Sequence, residues 1–189
     1  MVAGIALLGL AACGSPPADN DSAAVPSPPA NASASAPAPA PAPAPAIVLE
    51  GAGLRLAGAS TGTIAFETPR AATIEALAKA IGRAPSEIGE NGECGGGGGM
   101  EFATWKDDLT LWFDEGGFAG WDSKGKLKTL EGVGIGSSRA DVAALPGFEV
   151  EQSTLGTEFR AGGLSGILAS KAPDAKVTHL WGGATCVFR

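Results

Sequence analysis

The sequence of 189 residues predicts an α+β fold: a tandem divergent repeat in which each unit is a helix followed by three or four antiparallel strands, after a disordered N-terminal tether. Two observations lead to this prediction. Prolines are concentrated before residue 46, and a segment without such bias follows from 47 to 189. Within that segment, "FETPRA" at 66–71 aligns with "IGSSRA" at 135–140, which predicts repeats at about 60–130 and 131–189.

Residues 1–12 have the pattern of a lipoprotein signal peptide. The apolar run "VAGIALLGLAAC" ends at Cys13 and is too short to span a bilayer as a helix. It matches the bacterial lipobox, in which the cysteine sulfur receives diacylglycerol and further acyl chains such as palmitate follow. The alternative is an ordinary secretion signal that happens to contain a cysteine. One feature departs from the pattern, because no Lys or Arg precedes the apolar run.

An anchor at Cys13 predicts a membrane-attached lipoprotein of the cell envelope that faces the periplasm. Several acyl chains are needed for stable attachment, and lipidation of Cys13 supplies them. Gly14 follows the cysteine where Asp would signal retention, which favours the outer membrane over the inner one in a cell with two membranes.

Residues 13–46 form the predicted linker. Its Pro and Ala residues cannot build a core, and strict Pro-Ala alternation favours an extended, partly polyproline II chain. At about 3.1 Å per residue the linker reaches at most on the order of 100 Å from the membrane. A Pro-rich docking ligand is the rival interpretation, although the alternation lacks basic flanks.

The charge of the chain argues against nucleic acid as a partner. The formal net charge is −7, and no basic run is present. Phosphate binding needs a clustered basic surface that releases counterions. We therefore expect no nucleic-acid partner.

Once Cys13 carries lipid, Cys94 and Cys186 remain as an even pair in an oxidising compartment. A disulfide between them is the expectation, and the chain-entropy model gives it roughly 4 to 5 kcal/mol. A metal site would need more ligands, and the chain has a single His. The stretch "GECGGGGGMEF" at 92–102 is then interpreted as a turn from the first helical region into the first strand of the sheet, with Cys94 as its clamp.

Two helices are predicted. The first covers 69–81, with Thr68 as N-cap, Pro69 at the first helical position and Gly82 after the last residue. Its apolar residues recur at helical spacing: Ile74, Leu77, Ala78 and Ile81. The second covers 138–145, is capped by Ser137 or Ser138, and stops at Pro146.

Strands are predicted after each helix. In the first unit, "EF" at 101–102 opens a strand-rich segment. It continues with the alternating apolar residues Leu109, Leu111 and Phe113 and then with "GFAGW". In the second they are "EF" at 158–159, "GLSGIL" and "KVTHLW". Polar and glycine turns at 114–117 and 123–125 join them.

The segments "FETPRA", "GEC", "LGTEF", "GLSG" and "TCVF" are similar to a family of uncharacterised small bacterial lipoproteins, some of which carry automatic names taken from aspartate-semialdehyde dehydrogenase. The arrangement of helix and sheet also resembles β-lactamase-inhibitor-like domains and small outer-membrane assembly lipoproteins. The resemblance covers 47–189 and implies protein binding. No contact motif of those proteins matches residues of this chain.

The sequence patterns give little support to catalysis. A dinucleotide fingerprint fails because Met100 or Ser137 occupies the third glycine position, and "GLSGI" at 163–167 lacks the last glycine of a nucleophile elbow. His179 is interpreted as a packed or hydrogen-bonded strand residue, on the same face as Val177 and Trp181. We interpret four acids as solvated turns, with a weak calcium site as the alternative: Asp107, Asp108, Asp114 and Glu115.

Two groups of residues are candidates for a partner surface. Arg70 and Arg139 occupy equivalent first-turn positions, where the helix dipole disfavours cations. Pairing with Glu67 and Asp141 is the structural explanation, and anion or partner binding is the alternative. The second group is Trp105, Trp112 and Trp121, which with Trp181 belong either to the core or to an exposed sheet face.

The sequence therefore favours a lipid-anchored envelope protein that binds a protein partner without catalysis, and that needs no cofactor and no metal. Binding of wall polysaccharide through exposed tryptophans is the alternative. An enzyme, including the dehydrogenase that some relatives are named after, is the third interpretation.

Overall fold

The computed structural model describes residues 46–57, 61–94, 98–106 and 109–186. The predicted signal peptide, Cys13 and the linker up to residue 45 lie outside the described residues, as do Asp107 and Asp108. The described residues form eleven strands and two helices: β1 Ile47–Glu50, β2 Gly53–Leu56, β3 Gly62–Ala65, α1 Arg70–Ile81, β4 Glu87–Asn91, β5 Met100–Trp105, β6 Leu109–Asp114, β7 Gly117–Ser123, α2 Arg139–Ala143, β8 Glu149–Ser153, β9 Gly156–Ala161, β10 Leu164–Leu168 and β11 Val177–Gly183.

The predicted α+β class with a tandem helix-and-strand repeat is wrong. The described chain is mainly β, with a three-stranded and an eight-stranded antiparallel sheet. The helices contribute 12 and 5 residues only. The error arose because the strands from β1 to β4 are short and contain glycine or charged residues. Their sequences therefore show little alternation of apolar and polar residues, and pairing with neighbouring strands is what stabilises them.

The larger sheet has the strand order β4-β5-β6-β7-β11-β10-β9-β8. Two four-stranded meanders therefore meet where β7 pairs with β11. Tight turns connect the hairpins: Glu115 and Gly116 between β6 and β7 both have positive φ, at 48° and 80°. Positive φ at both central residues suits the right-handed twist of the flanking strands.

Helix α1 begins one residue later than predicted. Pro69 takes the N-cap position without a side-chain hydrogen bond, and the hydroxyl of Thr68 instead donates to the Ala65 carbonyl at 2.7 Å. The prediction of Thr68 as N-cap is thus wrong. Gly82 ends the helix in the left-handed conformation, at φ 77°.

Helix α2 is shorter than predicted but has the predicted cap. The Ser138 hydroxyl accepts from the Asp141 amide, and the Asp141 carboxylate accepts from the Ser138 amide at 2.7 Å. This capping box satisfies two amides at the start of the helix.

The core lies between the larger sheet and the elements that cover one of its faces, which we call the inner face. The smaller sheet and α1 supply Leu49, Leu54 and Leu77, all fully buried, to this core. The Trp121 indole on β7 donates to the Glu50 carbonyl at 3.0 Å, which ties the two sheets together. The opposite face, the outer face, carries the alternate residues of the same strands.

The glycine-rich stretch lies between β4 and β5 and does not lead from the first helix into the first strand of the sheet. Strand β4 intervenes after α1, and its Asn91 pairs with Met100 of β5. Strand β4 was not predicted, because "EIGEN" has one apolar residue, Ile88, which is 52% exposed. Gly95, Gly96 and Gly97 lie outside the described residues.

Candidate binding groove on the outer face

Asp122 is the central polar residue of the outer face. The segment "GFAGWDS" alternates along β7, so that Trp121 points into the core and Asp122 points outward. Asp122 is nevertheless half-buried, and its Oδ2 accepts a hydrogen bond from the Trp112 indole at 2.7 Å. A carboxylate in such a position stands out, because acids on a sheet face are normally solvated.

Burial raises the pKa of the Asp122 carboxyl above its ordinary value, since the charged form loses hydration. The Trp112 hydrogen bond and the positive charges of Lys124 and His179 oppose this rise in pKa without cancelling it. Titratable groups with raised pKa in a concave site are typical of functional positions.

Trp112 forms one side of the site. It is half-buried and lies opposite Phe102 on the neighbouring strand, with ring centroids 5.6 Å apart in a tilted arrangement. Phe102 in turn covers Gly89, where a Cβ would collide with its ring. The hydrogen bond to Asp122 and the Phe102 contact together fix the orientation of the Trp112 indole.

Strands β11 and β10 form the other side. Trp181 pairs directly with Asp122 across β7 and β11, and His179 pairs with Ile167 of β10. His179 is exposed, and its Nδ1 lies 3.1 Å from the Thr178 hydroxyl oxygen.

The prediction that His179 shares a face with Val177 is wrong. The register shifts between Ile167 and Leu168, so that Leu168 pairs with Val177 while Ile167 pairs with His179. Val177 is therefore buried, whereas His179 is turned toward the outer face.

These residues enclose an open groove of about 620 Å³. Apolar side chains of Trp112, Leu155 and Ile167 line it, together with Asp122, Lys124 and His179. A mainly apolar concavity with a few convergent polar groups is the usual form of a ligand or side-chain pocket. We call it the outer groove.

Residues 183–186 close one end of the outer groove as a strap. Gly183 turns the chain at φ 71°, and the Ala184 amide donates to the Ala119 carbonyl at 2.9 Å. The strap then passes directly over Gly120, where any Cβ would overlap the Ala184 carbonyl. Thr185 and Cys186 line the groove.

The strap ends in a disulfide. The structure joins Cys186 to Cys94 in the loop after β4, with their Cα atoms 5.4 Å apart, a separation that disulfides commonly have. The Asn91 side-chain amide contacts the Cys186 sulfur at 3.5 Å. The crosslink therefore spans β5, β6 and β7 and holds the strap across the outer face.

Two of the three tryptophans predicted for the partner surface lie in the core. Trp105 and Trp121 are 1% and 0% exposed, and the Trp105 indole donates to the Arg83 carbonyl at 3.1 Å. The surface prediction is wrong for these two because both belong to the inward alternation of their strands. Trp112 belongs to the outward alternation and lines the groove.

Arg70 is remote from the outer groove. It pairs with Glu101 at 3.2 Å and lies 6.0 Å from the centre of the Phe113 ring, on the inner face. The predicted partner Glu67 is not the one the structure shows. Among the described residues, none bonds the buried Nε of Arg70.

Arg139 also takes a different partner from the predicted one. Its guanidinium donates to the Lys171 carbonyl, while Asp141 is engaged by Ser138. The structure therefore does not bring Arg70, Arg139 and Trp112 together in one surface.

Four groove residues were not predicted from the sequence: Asp122, Lys124, Leu155 and Ile167. The sequence did contain a signal for Asp122. Trp112 and Asp122 each follow a buried strand residue, so both belong to the opposite face of the sheet. The sequence does not show that β11, which lies far from Asp122 along the chain, supplies the opposite side of the groove.

The described segments contain no group of three or more His, Cys, Asp or Glu side chains placed to hold a metal ion. In the same segments, no helix is long and apolar enough to cross a membrane. Asp114 and Glu115 lie at the β6–β7 turn, as predicted.

The fold and the groove define a mainly β protein with an open pocket on the free face of its larger sheet. No protein-family model matches the chain, and no curated protein matches it. It is similar to the crystal structure of the uncharacterized protein yfeY from Escherichia coli, at 16% identity and a TM-score of 0.47. That match covers 64% of this chain and 92% of the other.

Proposed function

We propose that the protein is a lipid-anchored module of the cell envelope that binds a protein partner, without catalysis, through the outer groove. The observation that carries this proposal is the placement of a half-buried Asp122 between Trp112 and Trp181 in an open, mainly apolar concavity. Tryptophans around a desolvated polar group are typical of the residues that contribute most to protein interfaces.

The anchor and the location belong to the same proposal. Cys13 carries the lipid, the Pro and Ala linker holds the folded domain away from the membrane, and the periplasmic side of the outer membrane is the favoured site. The "LAAC" pattern before Gly14 supports this, as does the resemblance to small bacterial lipoproteins. The dehydrogenase name of some members of that family has no observation in its favour among the described residues.

Blocking the groove tests the binding role. Thr178 is exposed and lines the groove, whereas Thr63 is an exposed strand residue of the smaller sheet. We expect tagged full-length protein to capture a partner from envelopes of its native cell, Thr178→Trp to lose that partner, and Thr63→Trp to keep it. Equal capture by both variants would place the interaction elsewhere.

Binding of wall polysaccharide is the second candidate, and one observation favours it. The half-buried ring of Trp112 lies at the groove, where an aromatic face can stack on a sugar ring. Retention of the folded domain on peptidoglycan, lost on Trp112→Ala and kept in Trp112→Phe, would support this candidate. No retention of the wild-type domain would eliminate it.

A further inference from the structure

The carboxylate of Asp122 in the outer groove can accept further hydrogen bonds. Trp112 bonds Oδ2 of Asp122, and no other described residue donates a hydrogen bond to this carboxylate. Lys124 and His179 act on it through their charges, but the ion pairs between described residues do not include either of them with Asp122. A partly desolvated carboxylate gains most from a cation that reaches it directly.

The surroundings of Asp122 suit a cation with an apolar stem. Trp181 is its direct neighbour across the strands, and Trp112 is held beside it by the hydrogen bond. Both rings supply apolar surface beside the carboxylate, and Trp181 is buried. Ile167 and Leu155 extend the groove with apolar surface that can cover methylene groups.

The wider charge pattern points the same way. Toward the β8 edge the outer face carries Glu149 and Glu151, and Arg160 pairs with Glu151 at 3.5 Å. The whole chain has a formal net charge of −7. A basic partner is therefore attracted to this face, and Lys124 and His179 only weaken that attraction locally.

We propose that the outer groove binds a lysine side chain of the protein partner, with its ammonium on Asp122 and its methylene stem along Ile167 and Leu155. A lysine is favoured over an arginine because an ammonium needs a single acceptor, which Oδ1 supplies, whereas a bidentate guanidinium also needs Oδ2, which already accepts one hydrogen bond from Trp112. This inference rests on the proposed protein-binding function and names the chemistry of its partner.

The test uses the full chain in detergent micelles, labelled with ¹⁵N so that its four indole N–H groups give separate signals. The Trp112 signal is identified by its loss in Trp112→Phe. The probes are acetyl-Leu-Lys-Leu-amide, the same peptide with arginine, and the same peptide with norleucine, which lacks the charge. We expect the lysine peptide to shift the Trp112 indole signal at about tenfold lower concentration than the norleucine peptide.

Two variants make the result specific. Asp122→Asn keeps the size and a hydrogen-bond acceptor for Trp112, and it should bind the lysine and norleucine peptides equally. Asp114→Asn, in the exposed β6–β7 turn, is the matched control and should keep the tenfold preference. Unchanged signals of the buried Trp105 and Trp121 indoles show that each variant is folded.

A pH series on the wild-type chain provides a check that needs no variant. Protonation of Asp122 removes its charge, while the ammonium of the peptide stays charged. The preference for lysine should therefore fall as the pH drops through the raised pKa of Asp122.

With the wild type, the inference is overturned by equal binding of the lysine and norleucine peptides or by tighter binding of the arginine peptide. A preserved lysine preference in Asp122→Asn would also overturn it. So would saturation of the groove by an N-acetylglucosamine oligomer at lower concentration than by the lysine peptide. If lysine preference fails but Thr178→Trp still abolishes partner capture, the binding module stands and only the partner chemistry is wrong. If both fail, the proposed function fails as well.

Discussion

Single residues decide whether the outer face of the larger sheet is open. Gly120 is one of them, because it has no side chain at the point where the strap crosses β7. Trp112 and Asp122 are the others, since their hydrogen bond holds an indole and a carboxylate in one orientation. The groove therefore depends on a glycine as much as on the residues that line it.

Gly120→Ala should displace the strap. A Cβ at this position overlaps the backbone carbonyl of Ala184, which cannot rotate away as a side chain would. We expect a loss of about 1 to 3 kcal/mol in the free energy of unfolding, as for other overpacked sites, measured by urea denaturation. Gly92→Ala is the control, because a Cβ there meets nothing within 4 Å, and it should change stability far less.

Asp122→Asn should stabilise the protein at neutral pH relative to the wild type. Because the folded state raises the pKa of Asp122 above 3.8, the folded protein binds this proton more tightly than the unfolded chain. The contribution of Asp122 to the free energy of unfolding of the wild type is thus largest at low pH. It declines as the pH rises from about 3.8 through the raised pKa of Asp122.

Urea denaturation of both proteins across this pH range measures the effect. The advantage of Asp122→Asn should appear as the pH rises through that window and then stay constant. An advantage that is equal at pH 3 and pH 7 would contradict the raised pKa.

At the scale of elements, the strap and its disulfide link the end of β11 to the loop after β4. Reduction of intact protein should increase its mass by two hydrogens and lower the free energy of unfolding by up to roughly 4 to 5 kcal/mol. Intact mass spectrometry and denaturation with and without reductant test this. A Cys13→Ser variant is used so that only Cys94 and Cys186 contribute, and an unchanged mass would show that they are not paired.

The sequence predicted several elements for sound physical reasons. Helix α1 has the apolar spacing, the proline and the terminal glycine of a helix, and α2 has a capping serine with an acid three residues later. Strands β6, β7, β10 and β11 alternate clearly or contain β-prone residues. These signals are local, so they can be read without knowing the partner strands.

The overall class was wrong because the remaining strands are specified by their neighbours. The segments "IVLE", "GLRL" and "EIGEN" form strands through pairing and coverage of the core, neither of which is visible in a short segment. The groove was missed for a similar reason. It arises where β7 meets β11 and where the strap returns over Gly120, which are contacts between residues far apart in sequence.

In the protein as proposed, a long linker joins the groove-bearing domain to a lipid anchor at Cys13. Cys13→Ser should move the protein from the membrane fraction to the soluble periplasmic fraction, because a single apolar signal without acyl chains gives no stable attachment. Fractionation and incorporation of labelled palmitate measure this. Continued palmitate incorporation in Cys13→Ser would show that the anchor lies elsewhere.

Site-specific photocrosslinking in intact cells tests whether the outer groove contacts a protein partner. A photoreactive phenylalanine analogue replaces Thr178 in the groove or, as the control, Glu75 on the exposed side of α1. We expect one discrete protein adduct from position 178 and none from position 75. The absence of an adduct at 178, or the same adduct from both positions, would contradict it.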